Sequence, residues 1–332
     1  MLHIAILGAG NIAGTMAKTL NGMEEKGERF CCYAVAAREL DRAKEFADKY
    51  GFEKAYGSYE EMLADEKVDF VYIATPHGCH YEHIKLCLEH GKHVLCEKAF
   101  TLNASQARDV FETAKEKGLL LTEAIWPRYQ PMRKILNDLL ASGVIGKPHL
   151  MVANIAFDSD HVPRMHRPEL GGGALLDITI YPLNTAVMAF GDQITRVDSS
   201  VQMMESGVDA QESITLHFAD GKMAVIAASM YAQGDTSVMF CGEQGRIHLE
   251  NIFNPVSLTV YNKQGELVQT ILRPEQITGY EYEVRSCLNA IESGMQECPE
   301  MPHKDTIFML DLMDELRKQW GMKYPIAKES LM

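Results

Sequence analysis

The sequence predicts an α/β chain in two parts: a doubly wound parallel sheet over residues 1–123, then an α+β domain over 124–332 built on an open, mostly antiparallel sheet. Three observations carry this. Short apolar runs alternate with helical stretches through the first third, and such alternation buries a parallel sheet under helices on both faces. A G-x-G-x-x-A turn follows the first apolar run directly. Beyond about Glu123 the pattern changes to strand-like runs separated by tight turns, the mark of antiparallel pairing.

Leu2, Ile4, Ala5, Ile6 and Leu7 make the first strand, apolar throughout as a strand buried on both faces must be. It runs into Gly8-Ala9-Gly10-Asn11-Ile12-Ala13. In that turn Gly8 permits the bend, Gly10 lets backbone approach a pyrophosphate, and Ala13 lets the helix lie close to its strand. The helix that starts at Asn11 and Ile12 directs its open N–H groups and positive dipole end at the phosphates. Further strands are expected over 31–37, 69–74, 93–96 and 119–122, with helices over 41–50, 59–64, 80–89 and from the N-cap Asn103 to about Lys117. In the second part, helices are expected over 132–141, 174–189, 280–293 and 303–320, and strands over 150–156, 197–204, 213–218, 223–229, 237–241 and 258–261.

The chain has 332 residues, 46% hydrophobic and 23% charged, a globular composition with room for two cores. A formal net charge of −14 argues against partners that need clustered positive charge, such as a nucleic-acid backbone or an anionic membrane surface. No apolar run approaches the length of a membrane span, and no basic region precedes the first strand. The eight cysteines form no C-x-x-C pair, which fits reduced thiols and a cytoplasmic location.

Ligands of such sheets bind at the carboxyl ends of the strands, so each segment that follows a strand is a candidate site. After the second strand comes Ala37-Arg38 rather than Asp or Glu. A guanidinium there pairs with a 2′-phosphate, which favours NADP over NAD, although Glu39 beside it points the other way. Thr75-Pro76-His77 follows the next strand, with His80 and His83 on the helix beyond it. The H-x-x-H-x-x-H spacing suggests a metal, but no carboxylate or thiolate completes a ligand set at helical spacing. Polar side chains lining a cofactor groove are the better account, and no metal is expected. Glu97 and Lys98 end the strand over 93–96, where a lysine is placed to exchange a proton with a substrate hydroxyl.

The order GAGNIA, ATPHGCHYEH, GKHVLCEKA, GGGALLDITIYPL resembles the Gfo/Idh/MocA oxidoreductase family over essentially the whole chain. The stretch EAIWPRY with PELGGGALLDITIYPL is most similar to the dimeric dihydrodiol dehydrogenase and aldose-oxidising branch, which uses NADP. The resemblance implies a Rossmann domain, a C-terminal α+β domain and hydride transfer between nicotinamide and a secondary alcohol or carbonyl of a sugar, polyol or trans-diol. By position it makes Lys98 the motif lysine, Asp177 the motif aspartate and Tyr181 the proton-transfer residue. Read from the residues, Asp177 and Tyr181 lie four apart on a helix and share a face, and an ammonium beside a phenol favours the phenolate.

Trp126 and Arg128 are expected at the nicotinamide, and Arg164, His161 and His166 in the loop before the glycines as substrate contacts. Three positions depart from the family pattern: Ala99 replaces proline, Thr179 replaces glycine, and His77 stands where asparagine is more frequent. The competing reading is a nucleotide-binding regulator of the same fold without turnover. Either reading predicts a homodimer or higher oligomer, because the exposed apolar face of a broad sheet pairs with a copy of itself.

Overall fold

The computed structural model describes residues 1–325. The chain folds into two compact units, Met1–Tyr129 with Gln276–Ile307, and Gln130–Glu275 with residues 308–325.

The first unit holds strands β1 (Leu2–Leu7), β2 (Phe30–Ala36), β3 (Lys54–Tyr56), β4 (Phe70–Ile73), β5 (His93–Glu97) and β6 (Leu121–Ala124), all parallel, in the order β3-β2-β1-β4-β5-β6. Its helices are α1 (Asn11–Glu25), α2 (Leu40–Tyr50), α3 (Tyr59–Leu63), α4 (His77–Glu89) and α5 (Ala104–Lys117). Local chemistry sets several boundaries. Asn103 caps α5 by accepting from the Gln106 N–H at 2.9 Å, and Gly118 ends that helix in the left-handed region at φ +68°. The chain reverses direction across the sheet between β1 and β4, the place where ligands of such sheets bind. The short strand β3 lies outside the sequence expectations; three residues carry too little periodicity to register.

The second unit carries α6 (Pro131–Ala141), β7 (Pro148–Ala156), α7 (Ile180–Phe190), β8 (Ile194–Met203), β9 (Asp209–Phe218), β10 (Met223–Ser229), β11 (Val238–Gly242), β12 (Gly245–Leu249), β13 (Ser257–Asn262) and β14 (Leu267–Leu272). These strands form one sheet in the order β14-β13-β12-β11-β7-β10-β9-β8, antiparallel except for β7 against β10. Two helices, α8 (Glu281–Glu292) and α9 (His303–Trp320), complete the element order.

Several further features differ from the sequence expectations. The segment Gln276–Ile307 packs with the first unit: Arg285 forks onto Glu28 at 2.6–3.2 Å, and the Thr278 and Thr19 hydroxyls meet at 2.6 Å. An amphipathic pattern says that a helix face is buried, not which surface buries it. The helix expected over 174–189 is two pieces, a π-turn over Leu175–Thr179 and then α7. An 18-residue window within Pro168–Phe190 reaches a mean hydropathy of 1.3, long and apolar enough to cross a membrane, contrary to the sequence reading; 78% of that window is buried in the protein, as in a core helix. The open sheet surface is mixed: Leu150 and Val152 of β7 and Met223, Val225 and Ala227 of β10 lie beside the polar Ser213, Thr215 and His217 of β9, and Gln211 donates to Gln202 at 2.7 Å while accepting from Ser229 at 3.0 Å. Strands β12 and β14 complete the sheet at positions outside the sequence expectations.

Candidate active site

In the first unit the candidate residues gather along the carboxyl edge of the six-stranded sheet, because every strand there ends at the same edge. At the end of β1, Gly8 sits at φ +108°, and a Cβ there would lie 3.0 Å from the Ala74 carbonyl oxygen. Gly10 is the opposite case: a Cβ on it meets nothing within 4 Å, so the turn opens onto free space. Gly10 precedes α1 without capping its first N–H groups through a side chain, and the first turn carries no acidic residue. An open cradle at the N-terminus of a 15-residue helix fits a pyrophosphate.

Arg38 is exposed just past β2. Four residues on, Arg42 donates to the Ala9 carbonyl through Nε at 3.3 Å and Nη2 at 3.0 Å, tying α2 to the glycine turn. Burial pushes the Tyr59 phenol up, and the positive charges of Arg38 and Arg42 oppose that shift. The sequence reading missed Arg42 and Tyr59; the signal available was the i, i+4 spacing of two arginines at a helix start.

The segment after β4 is held by histidines. His80 is fully buried, with Nδ1 2.9 Å from the Ala99 carbonyl and Nε2 2.7 Å from the Thr75 carbonyl. Its ring therefore joins the ends of β4 and β5 through the backbone, rather than facing a cofactor as expected. His83 Nδ1 meets Thr75 Oγ1 at 2.9 Å, and burial lowers the His83 pKa to about 4, so the ring is neutral. His77 begins α4 and is buried, its ring edge-on to His80 at 5.8 Å. Thr75 and Pro76 are half-buried at the same edge. Among the described residues no group of three or more His, Cys, Asp or Glu is placed to hold a metal ion.

Lys98 is half-buried directly after β5, and the Lys98–Ala99 peptide bond is cis. Glu97 turns inward, is 6% exposed and accepts from the Tyr72 hydroxyl, so it supports the strand end from behind rather than meeting a cofactor. Past β6, Trp126 stacks on Tyr280 with centroids 4.2 Å apart and planes 6° from parallel. Arg128 is 3% exposed and ion-paired with Asp305. The position expected for a direct nicotinamide contact thus braces the segment after β6.

In the second unit, Asp177 lies within the π-turn and Tyr181 at the start of α7. Arg164 Nη2 donates to both Asp177 carboxylate oxygens at 3.0 and 3.2 Å, linking the loop before the glycines to the turn. Tyr181 is buried and meets Phe253 edge-on at 4.6 Å, with Phe157 packed against Phe253 at 5.2 Å. His161 is exposed, and His166 Nε2 lies 2.6 Å from the Asp160 carbonyl. Thr179 is fully buried and donates to Glu212 on β9. The residue that departs from the family glycine is therefore bonded inside the unit.

A family model described as the oxidoreductase family with an NAD-binding Rossmann fold matches residues 2–125, and one described as the GFO/IDH/MocA C-terminal domain matches 134–248. The chain is 33% identical to trans-1,2-dihydrobenzene-1,2-diol dehydrogenase of Mus musculus, over 98% of this chain and 99% of that one. It is 36% identical to the Homo sapiens protein of the same name, over 89% and 90%. A 3-ketoreductase from Actinomadura kijaniata, solved with NADP and TDP-benzene, superposes with a TM-score of 0.85 at 27% identity, over 96% of this chain and 97% of that one. Levoglucosan dehydrogenase, solved with NADH and levoglucosan, shares the fold with a TM-score of 0.85 at 18% identity, over 96% and 97%. With the glycine cradle, the strand-end lysine and both domain models in register, the chain belongs to the Gfo/Idh/MocA family of NAD(P)-binding oxidoreductases.

Proposed function

We propose that the protein is an NADP(H)-preferring dehydrogenase or reductase that acts on a secondary alcohol or carbonyl of a sugar, polyol or trans-dihydrodiol. The observation that carries this reading is Lys98, half-buried at the same sheet edge as the open Gly10 cradle. Gly8, Gly10, Asn11 and Ile12 hold the pyrophosphate, Arg38 with Arg42 hold the 2′-phosphate, and Thr75, Pro76, His77 and Trp126 line the rest of the groove. The nicotinamide, when bound, supplies or takes the hydride. Lys98 and Tyr181 move the hydroxyl proton, and Asp177 orients the reacting groups. The name of the mouse and human relatives supports a trans-dihydrodiol substrate, and the NADP held by the ketoreductase supports the nucleotide.

We further propose a homodimer or higher oligomer in a cytoplasmic setting. The open sheet face, where Leu150, Val152, Met223 and Val225 lie among polar neighbours, supports this reading; a monomer at every concentration in analytical ultracentrifugation refutes the assembly.

Fluorescence titration with NADPH and NADH side by side tests the nucleotide assignment. Tight NADPH and weak NADH are expected, followed by turnover in an NADP-linked screen of sugars and diols. The reverse preference overturns the role of Arg38 and Arg42. Nucleotide binding with no turnover on any such substrate leaves a regulator as the better reading.

A further inference from the structure

The π-turn that holds Asp177 is gripped at both ends by two buried carboxyl groups of one strand. At its start, Leu175 N–H donates to Asp209 Oδ2 at 2.5 Å; at its end, the Thr179 hydroxyl donates to Glu212 Oε1. Residues three apart on a regular strand face opposite ways. Here the pairing of β8 with β9 skips Ala210: Gln202 opposes Gln211 and Met203 opposes Asp209. That bulge turns Asp209 to the same face as Glu212. Asp209 is fully buried and Glu212 is 5% exposed. One oxygen of each, Asp209 Oδ1 and Glu212 Oε2, lacks a hydrogen-bond partner among the described residues. Gly173 makes room for this arrangement, since a Cβ there would overlap Asp209 Oδ1.

We propose that Asp209 and Glu212 share one proton between those two oxygens, and that the pair acts as a positioning device for Asp177 and Tyr181. The Asp209 and Glu212 side chains lie within hydrogen-bonding reach of each other; two carboxylates there repel in an apolar interior, whereas an acid donating to a carboxylate satisfies both oxygens. Glu212 is the acid. Burial and the neighbouring Asp209 charge both raise its pKa well above the usual carboxylate range. Asp209 is the carboxylate. Burial raises its pKa too, but the backbone N–H groups of Leu175 and Ala174 and the Arg317 charge favour the ionised form. The charged group facing the pair is Arg317 of α9, itself ion-paired to Asp314 at 2.5 Å and lying over the Tyr324 ring. Thr179 faces it from the turn. The positioning role rests on the function proposed above; the shared proton does not.

The test uses the full chain and three variants. Glu212→Gln replaces the acid by an amide of the same shape, which still accepts from Thr179 and donates to Asp209. Its infrared difference spectrum against the native protein at neutral pH is expected to show the loss of one un-ionised carboxylic acid. A carboxyl with a raised folded pKa withdraws stability as pH rises, so the glutamine variant is expected to gain melting temperature over the native chain as pH rises above the ordinary carboxylate range. Glu212→Ala and Thr179→Val remove the grip, and kcat is expected to fall roughly tenfold to a hundredfold with NADPH affinity unchanged, whereas Glu212→Gln keeps kcat within about twofold. No loss of acid absorbance in Glu212→Gln overturns the shared proton. A glutamine variant as impaired as the alanine variant overturns the positioning role, and Thr179→Val serves where Glu212→Ala fails to fold. Absence of turnover in the native chain itself counts against the proposed function, while the infrared and melting results still decide the proton.

Discussion

The carboxyl edge of the six-stranded sheet and the π-turn over the eight-stranded sheet are built from different materials. At the sheet edge the parts proposed to meet a nucleotide are mostly backbone, a glycine turn and open helix N–H groups, beside carbonyls tied down by His80 and Arg42. At the π-turn, the side chains proposed for chemistry stand on a backbone held by other side chains, Asp209, Glu212 and Thr179, which are buried inside the unit. Backbone recognition constrains sequence locally, because only small residues fit. Recognition supported by a buried pair constrains two distant segments at once, and no local pattern records that.

The sharpest break between the two regions is at Lys98. Lys98→Met is expected to cost roughly 10²–10⁴ in rate with NADPH affinity unchanged, read by steady-state kinetics beside a fluorescence titration. A proportional loss of binding would move Lys98 into the nucleotide site instead.

The glycine turn separates folding from binding within a few residues. Gly10→Asp supplies a favoured N-cap, and its Cβ has nothing within 4 Å, so its melting temperature is expected to hold or rise while NADPH binding weakens by roughly a hundredfold. Gly8→Ala is expected to lose about 2 kcal/mol of stability, since its φ of +108° and the Ala74 carbonyl at 3.0 Å both resist a side chain. Chemical denaturation distinguishes the two. Equal effects on stability would mean that the turn is structural only.

The arginines give a smaller, selective effect. Arg38→Ala is expected to weaken NADPH about tenfold and leave NADH unchanged, the loss of one charge-assisted contact. Arg42→Ala is expected to weaken NADH as well, because it releases the Ala9 carbonyl. Matching losses for both nucleotides in both variants would remove the 2′-phosphate assignment.

The smallest effect is acid sensitivity at the sheet edge. The His83 pKa falls from 6.5 to about 4 through burial. The neutral ring therefore stabilises the fold fully above about pH 6.5, and that stability is lost as pH drops toward 4. His83→Gln is expected to flatten the melting temperature over that window. An unchanged acid profile would assign the loss to other groups.

The legible parts share one property: their cause lies within a few residues. Strand β1 and its glycine turn, the Asn103 cap and the strand-end position of Lys98 follow from local apolar runs and residue size. Sequence reasoning makes Arg128 and His80 ligand contacts, because a polar residue after a strand in such a sheet usually faces the ligand. Asp305, on a helix start 177 residues away, and the Ala99 carbonyl claim them instead. The return of Gln276–Ile307 to the first unit is illegible for the same reason, since Glu28 and Thr19 are its partners from the far end of the chain.

Periodicity, the glycine turn and the ordered motifs are sufficient by themselves for two sheets of opposite type and for the residues proposed at the nucleotide and in proton transfer, because spacing and side-chain size act locally along the chain. Only the tertiary structure decides that Ala210 bulges, that Asp209 and Glu212 face the same turn, and that Thr179 points inward to hold it. The physical reason is register: a single extra residue in a strand reverses which side chains are buried, and strand pairing, not the sequence of that strand, fixes where the extra residue falls.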